Sequence, residues 1–115
     1  EVAGSPGQLQ QVVMNLVQNA ADATEKARER RLEISGRIED GMGVIEFRDS
    51  GPGIPAENLH KLFDPFFTTK PVGRGTGLGL AISRGIVERH GGTLSAENHP
   101  KGGALFVLRL PLAGE

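Results

Sequence analysis

Gly73-Arg74-Gly75-Thr76-Gly77-Leu78-Gly79-Leu80-Ala81-Ile82 alternates glycine with other residues and then runs directly into an apolar helical pattern. Glycine has no side chain to pack and costs about 0.5–1 kcal/mol inside a regular element, so this spacing does not serve a core. What it offers is a row of bare backbone N–H groups, delivered at the start of a helix. A donor-rich loop feeding a helix N-terminus is a natural anion cradle. For any lone glycine-rich run the competing reading is a mobile surface linker. The rest of the chain decides between the two.

Working outward, the helix after this run is expected over about 78–90, with Gly91 or Gly92 as its left-handed cap. Far upstream, Ser5-Pro6-Gly7-Gln8 reads as another helix start. Ser5 can cap, Pro6 suits the first helical position, and Gln8 completes a capping box. Leu9, Val13, Leu16, Ala20, Ala23 and Ala27 then recur at helical spacing, which predicts a first helix over about 6–30 with one buried stripe. Residues 32–38 alternate as a strand, Asp40-Gly41-Met42-Gly43 is a turn, and residues 44–48 pair back. A short helix is expected from about Pro55 to Leu62, and an irregular stretch from about Phe63 to Thr76. Two closing strands, about 93–97 and 104–110, flank a turn at 98–103. This order of elements predicts a two-layer α/β sandwich, with helices on one face of a mixed sheet.

Composition narrows the function classes. At 115 residues the chain has length for one domain and one modest core. A formal net charge of −1 supplies no electrostatic footprint for nucleic acid or an anionic membrane. Tyrosine and tryptophan are absent, which argues against aromatic base-stacking platforms. With no cysteine there is no disulfide framework, thiolate nucleophile or Cys-based zinc site, as suits a reducing compartment. No apolar stretch of about 18 residues and no signal peptide are visible. The chain reads as cytoplasmic, with no nucleic acid and no membrane in direct contact.

Three further segments can carry chemistry. Asn15, Asn19 and Asp22 fall within roughly 60° of one another around the first helix, to one side of its apolar stripe. Asparagine is a mediocre helix former, and amide and carboxylate oxygens suit a hard cation such as Mg²⁺. A plain solvated helix face is the alternative. Asp49-Ser50-Gly51-Pro52-Gly53 ends a strand, where α/β domains place ligand contacts. An acidic side chain there can accept from an exocyclic amine, while Gly51 and Gly53 let a flat ring approach the backbone. An ordinary Asx turn is the competing reading. The run Phe63-Asp64-Pro65-Phe66-Phe67-Thr68-Thr69-Lys70 holds three of the five phenylalanines, with Phe63 and Phe66 reading as anchors of a loop. Lys70 and Arg74 add cations beside the glycine-rich donors, well placed for phosphate. There is no GxxxxGK[ST], no GxGxxG after a strand, and no protein-kinase catalytic-loop signature. His60, His90 and His99 are scattered and read as surface or capping residues.

Taken together and in this order, the four segments resemble the ATP-binding catalytic domain of bacterial sensor histidine kinases. That domain belongs to the Bergerat-fold superfamily, with Hsp90, gyrase-type topoisomerases and MutL-type repair proteins. Residues 15–23 look like the N box and Asp49 to Ile54 like the DxGxG G1 box. Phe63 to Lys70 is similar to the F box, and Gly75 to Ile82 to the GTGLGLAI G2 box. Gly91-Gly92-Thr93 resembles the closing glycine pair before the last hairpin. The match covers nearly the whole chain, and five boxes in order are far more specific than any one.

The resemblance implies ATP and Mg²⁺ as ligands and assigns roles. Asn19 would coordinate the Mg²⁺ that bridges the phosphates, with Asn15 and Asp22 beside it. Asp49 would accept the adenine amino group, Gly51 and Gly53 would leave room for the base, and Ile54 and Phe63 would complete the ATP site. Residues from about 65 to 76 would form a lid carrying Lys70 and Arg74, and Gly75, Thr76, Gly77, Leu78 and Gly79 would give backbone contacts. Many relatives have lysine at the Asp22 position; a carboxylate there is similar to nitrogen-regulatory kinases and Hsp90. Hydrolytic members carry glutamate four residues before the metal-binding asparagine, and here that position is Asn15, which cannot serve as a base. The implied reaction is therefore transfer of the γ-phosphate to a histidine on a separate dimerisation domain, upstream of a response regulator receiver domain. A serine-directed anti-sigma-type kinase and a nucleotide-binding module without transfer activity share the fold and are the alternatives. The family domain usually begins with a strand ahead of the first helix. Only Glu1-Val2-Ala3 would remain of it, so residues 1–115 read as one catalytic domain trimmed at its N-terminus.

Overall fold

Helix α1 spans Pro6–Ala23, and β1 (Leu32–Glu39) and β2 (Met42–Asp49) follow. A 3-10 helix covers Ala56–Lys61, after which come α2 (Gly79–Arg89), β3 (Thr93–Asn98) and β4 (Ala104–Pro111). The computed structural model describes residues 6–24, 31–64 and 79–111. The Ser5 cap, Ala27, the end of the first predicted helix and the segment from 65 to 78 lie outside the described residues.

The strands form one sheet in the order β1-β2-β4-β3. Each neighbouring pair runs antiparallel, so among the described residues the sheet is antiparallel rather than mixed. Two tight hairpins account for much of this, because a short turn can only reverse the chain. In the first, Glu39 pairs with Met42 across Asp40 and Gly41 alone. Both turn residues have positive φ, 52° and 78°, the two-residue geometry whose twist matches paired strands. Met42 and Gly43, expected in the turn, therefore belong to β2.

Both helices pack on one face of this sheet. Their contribution to the core is Val12, Leu16 and Ala20 from α1 and Ile86 and Val87 from α2. Of these, Val12, Leu16, Ile86 and Val87 form one cluster with Phe47 of β2, Leu94 of β3 and Phe106, Leu108 and Leu110 of β4. Val12 is fully buried, whereas Leu9 and Val13, expected in the stripe, are only partly so. The stripe is thus rotated slightly toward Val12. Helix α2 closes as expected: Gly91, at φ 81°, donates to the Glu88 carbonyl and Gly92 to that of Val87, both at 3.0 Å.

The opposite face of the sheet holds a smaller apolar cluster of Val44, Leu105 and Val107, with Met42 against it. Arg37 lies on this side, bonded to Glu46 at 2.7 Å and Glu39 at 3.1 Å. The Glu46 bond, then that to Glu39, raises its pKa above the ordinary arginine value. Such exposed pairs stabilise little, and the apolar residues they flank matter more. No helix among the described residues is long and apolar enough to cross a membrane.

Candidate functional site

Asp49 is the last residue of β2 and is 4% exposed. Side chains alternate along a strand, so Asp49 faces the same helix-bearing side as Phe47, two residues earlier in the core. One carboxylate oxygen, Oδ1, accepts from the backbone N–H of Gly51 at 2.9 Å and of Ala104 at 3.2 Å. The first bond is the Asx turn anticipated from the sequence. The second ties the end of β2 to the start of β4. Among the described residues nothing donates to the other oxygen, Oδ2. A buried carboxylate with one oxygen fixed by two N–H groups presents the second in a single orientation.

The loop that follows is held as firmly. Asn98, at the end of β3, accepts from the Ile54 N–H through Oδ1 at 2.6 Å and donates through Nδ2 to the Ile54 carbonyl at 2.8 Å. Gly53 sits at φ 88°, and a Cβ there would press on Asn98 Oδ1. The glycine is therefore needed for the approach of Asn98, a requirement distinct from clearance for a planar ring. Gly103, at φ 83°, lies so close to Asp49 that any Cβ would collide with the Asp49 carbonyl oxygen. Close backbone approach thus sets the position of the acidic residue from below.

On α1 the three polar residues behave differently. Asn15 donates through Nδ2 to Ser83 Oγ at 3.0 Å and to the Gly79 carbonyl at 3.3 Å. This contact joins two of the anticipated site residues, Asn15 and Gly79, and fastens α1 to the first turn of α2. Ser83 is fully buried. Asn19 is half-buried, and its amide makes no hydrogen bond among the described residues. Asp22 accepts from Gln18 Nε2 at 3.0 Å, one turn away. Phe63 packs edge-on to Phe106, with ring centroids 6.5 Å apart, and Arg84 of α2 lies 4.8 Å from its ring centre. It acts as the anchor foreseen for it, and Ile54 also rests against the core. Lys70, Arg74, Gly75, Thr76, Gly77 and Leu78 fall outside the described residues.

Asn98 and Ser83 were not among the residues singled out from sequence. Ser83 sits inside the G2-box helix with no local signal to mark it. Asn98 carried one usable hint, a polar side chain at a strand end facing a glycine-rich loop.

A polar notch of about 170 Å³ lies behind Asp49 and includes Arg31, Glu33, Arg48, Ser50 and Lys101. Glu33 stands 3.9 Å from Arg31 and 3.8 Å from Arg48, so the charges there are largely met internally. Glu33 and Arg48 point to the face away from the helices, and Asp49, Gly51 and Gly103 line the notch together with them. The histidines form no site: His60 is exposed, His90 Nδ1 lies 2.7 Å from the Ile86 carbonyl, and His99 accepts from the Lys101 N–H. Among the described residues no group of three or more His, Cys, Asp or Glu could hold a metal.

Residues 4–114 match the family described as histidine kinase-, DNA gyrase B- and HSP90-like ATPase. The chain belongs to that family. It is similar to the two-component sensor PprA of Pseudomonas aeruginosa, with 46% identity over 97% of this chain and 13% of that protein. Similarity also extends to the sensor histidine kinase ZraS of Klebsiella oxytoca, 44% identical over 99% of this chain and 24% of the relative. The chain thus spans a quarter or less of these curated relatives. Among solved structures, the catalytic domain of histidine kinase ThkA superposes with a TM-score of 0.82 and 38% identity, over 96% of this chain and 71% of that one. Full-length ShkA in complex with AMPPNP gives 0.83 at 27% identity, over 99% of this chain and 23% of its own. The resemblance to histidine kinase catalytic domains, and the Bergerat-type sandwich it implies, are therefore correct.

Proposed function

We propose that this chain is the catalytic domain of a sensor histidine kinase, binding Mg-ATP and donating its γ-phosphate to a histidine on a separate dimerisation domain. The observation that carries the reading is the Asp49 carboxylate. Its Oδ1 is held by two backbone N–H groups, and its Oδ2 has the fixed orientation needed to accept from the exocyclic amine of adenine. The family match and the AMPPNP in the ShkA complex support a nucleotide as the ligand.

At the other end of the nucleotide, Asn19 fits a magnesium site. Mg²⁺ keeps several waters and draws its remaining ligands from substrate phosphates, so a single amide oxygen on a half-buried helix edge suffices without an acidic cage, which the described residues do not form. When bound, the ion neutralises phosphate charge. Gly79, at the N-terminus of α2, would add N–H groups for the phosphates, and Lys70 and Arg74 are assigned there on sequence alone. Gly51, Gly53 and Ile54 would shape the base end, and Phe63, packed on the core as Ile54 is, is assigned to the ATP site by the resemblance.

Asn15 supports transfer over hydrolysis. An amide is no base, and here its nitrogen is already committed to Ser83 and Gly79. Without a residue to activate water, the γ-phosphate awaits an external nucleophile aligned by a partner domain. The phosphate would then pass to a response regulator receiver domain. The test is label transfer from γ-labelled ATP to a matched histidine-containing helical domain. Phosphohistidine is expected, and an unlabelled acceptor at saturating Mg-ATP refutes the kinase assignment.

A further inference from the structure

The loop that follows Asp49 is gripped at both ends by one hairpin. Asn98 and Ala104 are register partners at the turn end of the β3–β4 hairpin. The Ala104 N–H holds Asp49 Oδ1, at the start of the loop, and the Asn98 amide holds both backbone groups of Ile54, at its end. The Asn98 bonds span 44 positions of sequence and mimic one rung of a β ladder, in a place where no strand continues. Gly53 has the backbone angle and the missing side chain that let this amide approach. Removing the bracket would free Gly51 to Ile54 while leaving every residue of that loop in place.

We infer that Asn98 is a positioning residue for base recognition: by bracketing Ile54 it holds the Asp49–Ile54 loop in the shape that discriminates an adenine from a guanine base. The inference rests on the nucleotide-binding function proposed above. Asp49 alone can accept from an amine, but selectivity requires that its Oδ2 stay registered against the ring edge. Guanine presents a carbonyl oxygen at the position of the adenine amine, so a rigid carboxylate repels it and a loose one yields. The Gly51 and Ala104 N–H groups fix Oδ1 directly, and the two Asn98 bonds, at 2.6 and 2.8 Å, hold the far end of the six-residue loop from which Gly51 donates.

The test compares the full chain with Asn98→Ala by measuring ATP and GTP affinities, with Mg²⁺, alongside the melting temperature. Loss of the bracket is expected to weaken ATP binding by about tenfold. The ATP-over-GTP preference should fall by a similar factor, with melting lowered by only a few degrees. Unchanged affinities overturn the role. So does an equal loss for both nucleotides, which would make Asn98 a structural residue only. Asn98→Asp keeps an oxygen for the Ile54 N–H but sets a second against the Ile54 carbonyl. It should show the same loss of preference, and it supplies the readout if the alanine variant does not fold. A parent chain that binds neither nucleotide overturns the function reading itself, and is distinguishable from a parent that discriminates while its variant does so equally well.

Discussion

Asp49 carries two separable duties, and a pair of substitutions should split them. Asp49→Asn retains an oxygen for the Gly51 and Ala104 N–H groups, which now sit at 2.9 and 3.2 Å from Oδ1. Those two donors also fix which way the new amide points, because turning its NH₂ toward them would oppose donor to donor. The NH₂ must then occupy the place of Oδ2 and confront the adenine amine. A hydrogen bond to a charged group contributes about 1.5–3 kcal/mol, and the unmatched donor adds to its loss. At a factor of ten per 1.4 kcal/mol, ATP affinity should fall about a hundredfold while melting barely moves. Asp49→Ala removes the acceptor as well. It leaves the Ala104 N–H buried without a partner and that of Gly51 half-buried, at about 1–3 kcal/mol each. The total of about 2–6 kcal/mol corresponds to a melting point roughly 10–25 °C lower. Calorimetric titration with ATP and a thermal melt read the two effects independently. The reasoning fails if Asp49→Asn binds ATP within twofold of the parent, or if the alanine and asparagine variants melt together.

Other consequences of the geometry are open to similar checks. Ser83→Ala removes a fully buried acceptor from the Asn15 amide, so a loss of about 1 kcal/mol in denaturant unfolding is expected; an unshifted midpoint means the α1–α2 tie is not formed. Gly103→Ala should prevent stable folding, since its Cβ would meet the Asp49 carbonyl oxygen at a left-handed φ. Gly102→Ala, at φ 107° but in open space, should cost only about 1–2 kcal/mol, and equal expression and melting of the two would remove the close-approach argument. For Asn19→Ala, the gain in ATP affinity on adding Mg²⁺ should shrink toward nothing, as titrations with and without chelator would show. A parent protein indifferent to Mg²⁺ contradicts that role.

Much of the architecture was open to reading because it rests on local rules. Pro6 at the head of α1 and the Gly91 cap follow from backbone preferences of the residues themselves and stand where those rules put them, and the turn expected over 40–43 formed in its first half, at Asp40 and Gly41. Sheet topology was not legible in the same way. Strand direction depends on which neighbours a strand finds, and the pairing of β2 with β4 crosses the whole second half of the chain. The rotation of the α1 stripe toward Val12 has the same origin. Apolar residues at 9, 12, 13 and 16 admit more than one buried face, and the sheet and α2 together choose among them.

At the site, chemistry was easier to foresee than support. Asp49, Asn15 and Asn19 stand out because their side chains are unusual for a strand end or a helix edge. The residues that hold them do not stand out, because their value arises only on contact. An asparagine in a turn and a serine in a helix are commonplace, and their partners lie 44 and 68 positions away. The glycines show why this matters for interpreting a motif. Gly53 can be read as making room for a ligand, yet the nearest atom to its missing Cβ belongs to Asn98. A glycine pattern that looks written for a nucleotide is in part written for the protein's own scaffold, and the two demands coincide because a loop must be rigid before it can be selective. Replacing Gly53 would therefore disturb base recognition even if its Cβ never reached the nucleotide. The Asn98 bracket on Ile54, at the far end of the loop that Asp49 begins, would be displaced first.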